Sequence, residues 1–141
     1  MSDLTAIDIL VEPEEAALDR ARALNTELRA SYPDGFALDA QHTPHITLLQ
    51  RYARTEELEA VFAAVESVLS TRGLSTLMFE AKGLRHMDVE ALPGIGLAAI
   101  VVSPGPEVLD MQAELIEVVA PHAGTNGTAA AFVTTPEERE I

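Results

Sequence analysis

The stretch Pro44-His45-Ile46-Thr47-Leu48-Leu49 sets polar residues alternately with branched apolar ones. Branched side chains suit a pleated backbone, and a proline at the start marks where a strand can begin. Alternation puts His45 and Thr47 on one face, about 7 Å apart along the chain, and Ile46 and Leu48 on the other. The apolar pair can anchor the strand in a core while the polar pair faces a cleft. An imidazole titrates near neutral pH and relays protons, and a threonine hydroxyl donates to a phosphate oxygen. The same pattern also fits a half-buried strand whose polar face meets only water, and the residues alone leave both readings open.

Outward from this strand, the chain alternates between the two hydrophobic periods. Residues 6–11 read as a short apolar strand interrupted by Asp8. Pro13, Glu14 and Glu15 then favour a helix start, because a missing N–H costs nothing there and acids suit the positive dipole end. Ala17, Ala21, Leu24 and Leu28 carry the helical spacing to about Ala30, and Tyr32-Pro33-Asp34-Gly35 punctuates its end. Thr55 can cap a second helix with Glu56, Glu57 and Glu59 in its first turn. Leu58, Val61, Val65, Val68 and Leu69 form its inward stripe, and Gly73 lies just past it. Residues 76–81 and 96–102 are expected as strands, the second nearly all apolar and therefore central in its sheet. The loop between them, residues 83–94, is expected to carry the polar group Arg85-His86-Met87-Asp88. A third helix follows Ser103-Pro104-Gly105-Pro106, with Val108, Leu115 and Val119 inward and Pro121 stopping it. Residues 129–134 are read as a last strand. The order β-α-β-α-β-β-α-β predicts an α+β fold with helices against a mixed sheet in one domain, residues 1–141.

Composition narrows the partners. Asp and Glu number 23 against 9 Lys and Arg, a formal charge of −14, so an extended nucleic-acid interface is not expected. One small phosphate held in a local cleft is compatible with that charge. The chain has no cysteine, which removes disulfides, zinc ribbons and thiol nucleophiles. The acidic start Met1-Ser2-Asp3 lacks a basic n-region, and no apolar run nears the roughly 20 residues a bilayer span needs. A cytoplasmic protein without membrane partners is the expectation.

The longer stretch from Gly35-Phe36-Ala37-Leu38 through Pro44-His45-Ile46-Thr47-Leu48-Leu49-Gln50-Arg51 resembles the first signature of the 2H phosphoesterase superfamily. It is most similar to 2′-5′ RNA ligase-like and cyclic phosphodiesterase-like proteins. That resemblance implies a bilobal fold with flanking helices, in which one H-x-[ST] strand from each lobe faces a shared cleft. It implies metal-independent acid–base chemistry, without a cofactor, on a small cyclic phosphate or RNA 2′,3′-cyclic end, or on a 2′-5′ linkage. Carried over, it makes His45 the catalytic acid or base and Thr47 the phosphate ligand. The family's second motif has no counterpart: His86-Met87-Asp88 has an acid where the hydroxyl belongs, and His122-Ala123-Gly124 a glycine. The expectation is therefore a chain lacking its last strands, either a truncated product or a natural half-site form. Such a chain could be a binding remnant without turnover, or could self-associate through an open sheet edge.

Other groups carry weaker readings. His42-Thr43-Pro44-His45 is a poor metal pair, since Pro44 breaks the helical turn that would align the two rings. His42 is expected at the cleft rim. Arg51 and Arg54 could meet phosphate or pair with acidic neighbours.

Overall fold

The computed structural model describes residues 3–90 and 93–132. The chain forms β1 (Leu4–Val11), α1 (Glu15–Ser31), β2 (Ile46–Arg54), α2 (Leu58–Arg72), β3 (Phe79–Asp88), β4 (Gly96–Pro104) and α3 (Pro106–Val119). It is a mixed α+β fold of three helices and two small sheets. Among the described residues the single mixed sheet of the sequence reading is not formed: β1 pairs antiparallel with β2, and β3 pairs antiparallel with β4, as two separate two-stranded sheets.

The core lies where α2 and α3 cover one face of the β1–β2 sheet. Val61 and Val68 of α2 meet Val108, Met111, Leu115 and Val119 of α3 over Leu48, Leu49 and Ala53 of β2. The α3 residues recur at three- and four-residue intervals and so fall on one side of the helix. The expected α2 stripe holds, with Leu58, Val65 and Leu69 packed at its flanks. In α1 the buried residues are Leu18 and Ala21, while Leu28 is half exposed, so the expected stripe is rotated.

The pairing of β1 with β2 shifts register: Ile9 faces Leu49 but Leu10 faces Thr47, leaving Leu48 as the extra residue of a bulge. The Leu48 carbonyl accepts a hydrogen bond from Gln112 Nε2 of α3 at 2.8 Å, so the oxygen has a partner outside the ladder. Past the bulge the facing of β2 inverts. Leu48 and Leu49 are therefore both buried, and Thr47 shares a face with Gln50 rather than with Leu49.

Four further expectations change. Arg85, His86, Met87 and Asp88 lie within β3, in register with Ala99, Ala98, Leu97 and Gly96, because the strand runs on well past Ala81. Among the described residues the apolar β4 is an edge strand of a two-stranded sheet instead of a central one. Ala129–Ala131 is a 3-10 turn with Ala131 buried, while Val133 and Thr134 lie outside the described residues. Thr55 opens a 3-10 turn rather than capping α2, and its hydroxyl pairs with that of Thr5 at 2.9 Å.

The segment after α3 folds back along the edge of β2 that faces away from β1. Ala123 bridges Ala53, and Gly124 N donates to Tyr52 O at 2.8 Å. A Cβ on Gly127 would sit 2.3 Å from the Tyr52 ring, so this backbone needs glycine to lie flat on the aromatic. Among the described residues no helix is long and apolar enough to cross a membrane.

Candidate functional site

The loop from Tyr32 to Pro44 joins α1 to β2 and walls a shallow cleft of about 450 Å³. Its shape is fixed by side chains of α1. Arg29 donates from Nε to the Gly35 carbonyl at 3.0 Å and from Nη2 to the Pro33 carbonyl at 3.2 Å. Asn25 donates to Phe36 O and accepts from Leu38 N, substituting for a strand partner. Asp39 then turns the chain by accepting from the backbone N–H groups of Gln41 and His42 at 2.9 and 3.0 Å.

His42 and His45 both line this cleft, together with Leu10, Glu12 and Phe36. Asp39 Oδ1 lies 2.8 Å from His42 Nδ1, and Phe36 stands edge-on to the His42 ring with centroids 4.7 Å apart. The backbone N–H of Gln41 and the His42 ring together hold the Asp39 carboxyl below its ordinary value. His45 Nδ1 lies 2.9 Å from the Thr43 carbonyl. A carbonyl can only accept, so that nitrogen carries the hydrogen and Nε2 of a neutral His45 is the basic atom.

His45 thus sits at the cleft, one residue before β2 rather than in it. Thr47 borders a different, smaller recess of about 120 Å³ beside Gln112 of α3. The two are not brought to one wall, although Leu10, the register partner of Thr47, also lines the His45 cleft. The Thr47 hydroxyl donates to Asp8 Oδ2 at 3.4 Å, and Gln50 Nε2 donates to the same oxygen at 3.2 Å. A carboxylate beside that hydroxyl opposes an incoming phosphate.

The remaining candidates resolve into framework. Arg54 donates to both carboxylate oxygens of Glu57 and to the carbonyls of Pro121 and Ala123. His122 Nδ1 joins the same carboxylate. Arg54 first, then His122, hold the Glu57 carboxyl down to about 2. This cluster ties the end of β2 to the segment behind α3, so Arg54 and His122 are structural. Arg51 donates to the carbonyl of Gln50 at 2.7 Å. His86 and Asp88 project from β3 into solvent, 4.0 Å apart. Among the described residues no group of three or more metal-capable side chains converges. Sequence reasoning passed over Asp39 and Asn25. The spacing Asp39-x-x-His42 after a Pro-Asp-Gly turn was a usable signal for the first, but the pairing of Asn25 with a loop eleven residues on was not.

No protein-family model matches the chain, and comparison with curated proteins and with solved structures gives no match either. These comparisons lend no support to the 2H phosphoesterase resemblance.

Proposed function

We propose that the chain is a 2H-type, 2′-5′ RNA ligase-like phosphoesterase acting on a 2′,3′-cyclic phosphate or a 2′-5′ linkage by metal-independent histidine chemistry. The observation that carries this reading is that His42 and His45 line one cleft, each with Nδ1 engaged by an oxygen. Nε2 is then the nitrogen each ring has for proton transfer. In hydrolysis of a cyclic phosphate, His45 Nε2 takes a proton from water as its oxygen bonds to phosphorus. The P–O bond to the ribose breaks, and His42 Nε2 delivers a proton to the leaving oxygen. Asp39 orients the His42 ring as a carboxylate partner does in other acid–base pairs. In this assignment His42 takes the place of the histidine that a second motif would supply. Thr47 borders the neighbouring recess with its hydroxyl on Asp8 and takes no part in this scheme.

The cleft-lining residues include no lysine or arginine among those described. That favours a second reading, a nucleotide- or phosphate-binding remnant without turnover. Hydrolysis of a 2′,3′-cyclic nucleotide in EDTA separates the two. The first reading predicts turnover that falls about 10²–10⁴-fold in His45→Ala. Turnover that survives His45→Ala would sink it, whereas ligand-induced shifts at His42 and His45 without turnover support the second.

A further inference from the structure

The cleft wall includes a carboxylate that the acid–base scheme leaves unused. Val11 faces Ile46 in the last antiparallel pair of β1 and β2, so the next residue out on each strand, Glu12 and His45, leave the sheet side by side. Both line the cleft. Glu12 is exposed, and among the described residues it makes neither a hydrogen bond nor an ion pair. Gln41 and Thr43 line the same cleft. Gln41 spends its backbone N–H on Asp39, and Thr43 its carbonyl on His45. The Gln41 amide and the Thr43 hydroxyl make no hydrogen bond among the described residues and remain as neutral donors.

We propose that Glu12 is a specificity-determining residue: it admits a singly charged cyclic diester, held by Gln41 and Thr43, and disfavours the doubly charged monoester. The inference rests on the phosphoesterase reading of the same cleft. In that hydrolysis the oxygen of water bonds to phosphorus, the P–O bond to one ribose oxygen breaks, and the freed ribose oxygen takes a proton. The product monoester has a second ionisable phosphate proton with a pKa of about 6, which it sheds near neutrality. The ligand therefore doubles its negative charge beside Glu12. Repulsion from a fixed carboxylate scales with ligand charge, so Glu12 costs the product about twice what it costs the substrate. Gln41 and Thr43 donate to phosphate oxygens without adding a positive charge that would hold the dianion. The cleft thus selects diester over monoester and speeds release of its product.

Calorimetric titration at about pH 8 tests this, with adenosine 2′,3′-cyclic phosphate and adenosine 2′-phosphate as the two probes. Both are titrated into His45→Ala, in which the diester stays intact, with and without Glu12→Gln. The diester should bind His45→Ala more tightly than the monoester does. Adding Glu12→Gln should tighten the monoester about tenfold and the diester about threefold, in keeping with their charges. Adding Thr43→Val instead should weaken both ligands alike. Equal gains for the two ligands, no gain for either, or a monoester that binds the more tightly overturns the proposal. Binding unchanged in both Thr43→Val and Gln41→Ala overturns the assignment of the donors. Hydrolysis of the diester by the unaltered chain alongside equal gains defeats this inference alone, whereas a chain that neither binds nor hydrolyses the diester defeats the phosphoesterase reading with it.

Discussion

Leu38 gives its backbone N–H to the side-chain oxygen of Asn25 at 3.0 Å, and the same amide group donates to the carbonyl of Phe36 at 2.8 Å. One helical side chain thereby imitates a strand edge and holds the loop that leads to both cleft histidines. Asn25→Ala removes both bonds, each worth about 0.5–1.5 kcal/mol net. Amide exchange at Leu38 should accelerate while the α2–α3 core stays protected. Unchanged exchange at Leu38 would show that the loop is held by other means.

Asp39 fixes the turn through two backbone bonds and the His42 ring through a third contact. Asp39→Asn keeps an acceptor for the backbone but removes the charge beside the imidazole. If His42 transfers a proton, turnover should fall by about tenfold to a hundredfold, with the pH profile displaced. A loss with an unchanged pH profile would assign Asp39 to loop structure alone.

Glu57 contributes a pH dependence to stability. Its folded carboxyl lies near 2, below its ordinary 4.5, because Arg54 and His122 bind the ionised form. A depressed carboxyl stabilises the fold above its unfolded pKa and loses that contribution as pH falls through the folded value. Stability should therefore drop between pH 4.5 and about 2. Glu57→Gln should be less stable at neutral pH and less sensitive to acid over that window. Chemical denaturation at several pH values reads both effects, and parallel pH curves for the two proteins would refute the assignment.

Leu115 is fully buried between α2 and the sheet. Leu115→Ala should cost about 2–5 kcal/mol through lost transfer energy and the cavity left behind. Gln112→Ala should cost about 1–3 kcal/mol, because it leaves the Leu48 carbonyl without its partner. Urea denaturation measures both. A loss below about 0.5 kcal/mol for Gln112→Ala would mean that water satisfies the bulge as well as the amide does.

The parts legible in the sequence are those written in a helical period. Val61, Val65 and Val68, and Val108, Leu115 and Val119, recur so that each set falls on one face of its helix, and the two faces meet in the core. The strands were harder. β4 is apolar enough for a sheet interior, yet nothing in its composition says how many neighbours it has. Arg85 to Asp88 read as loop because charge and turn residues surround them, but cross-strand pairing with four uncharged residues of β4 carries them as strand. Strict alternation placed His45 with Thr47, and it cannot register an inserted residue, so the inverted facing beyond Leu48 was hidden. His45 itself was legible at the cleft. Its neighbour His42 gained a role only when the Asp39 turn brought a carboxylate to its ring.

The bulge at Leu48 also divides β2 into two parts under different physical demands. Downstream, Leu49 and Ala53 are committed to the packed interior and tolerate little change. Upstream, His45 and Thr47 answer to the cleft loop and the outer face, because the extra residue absorbs the mismatch between the two registers. β2 in this way lets its cleft end and its core end keep separate registers within one strand.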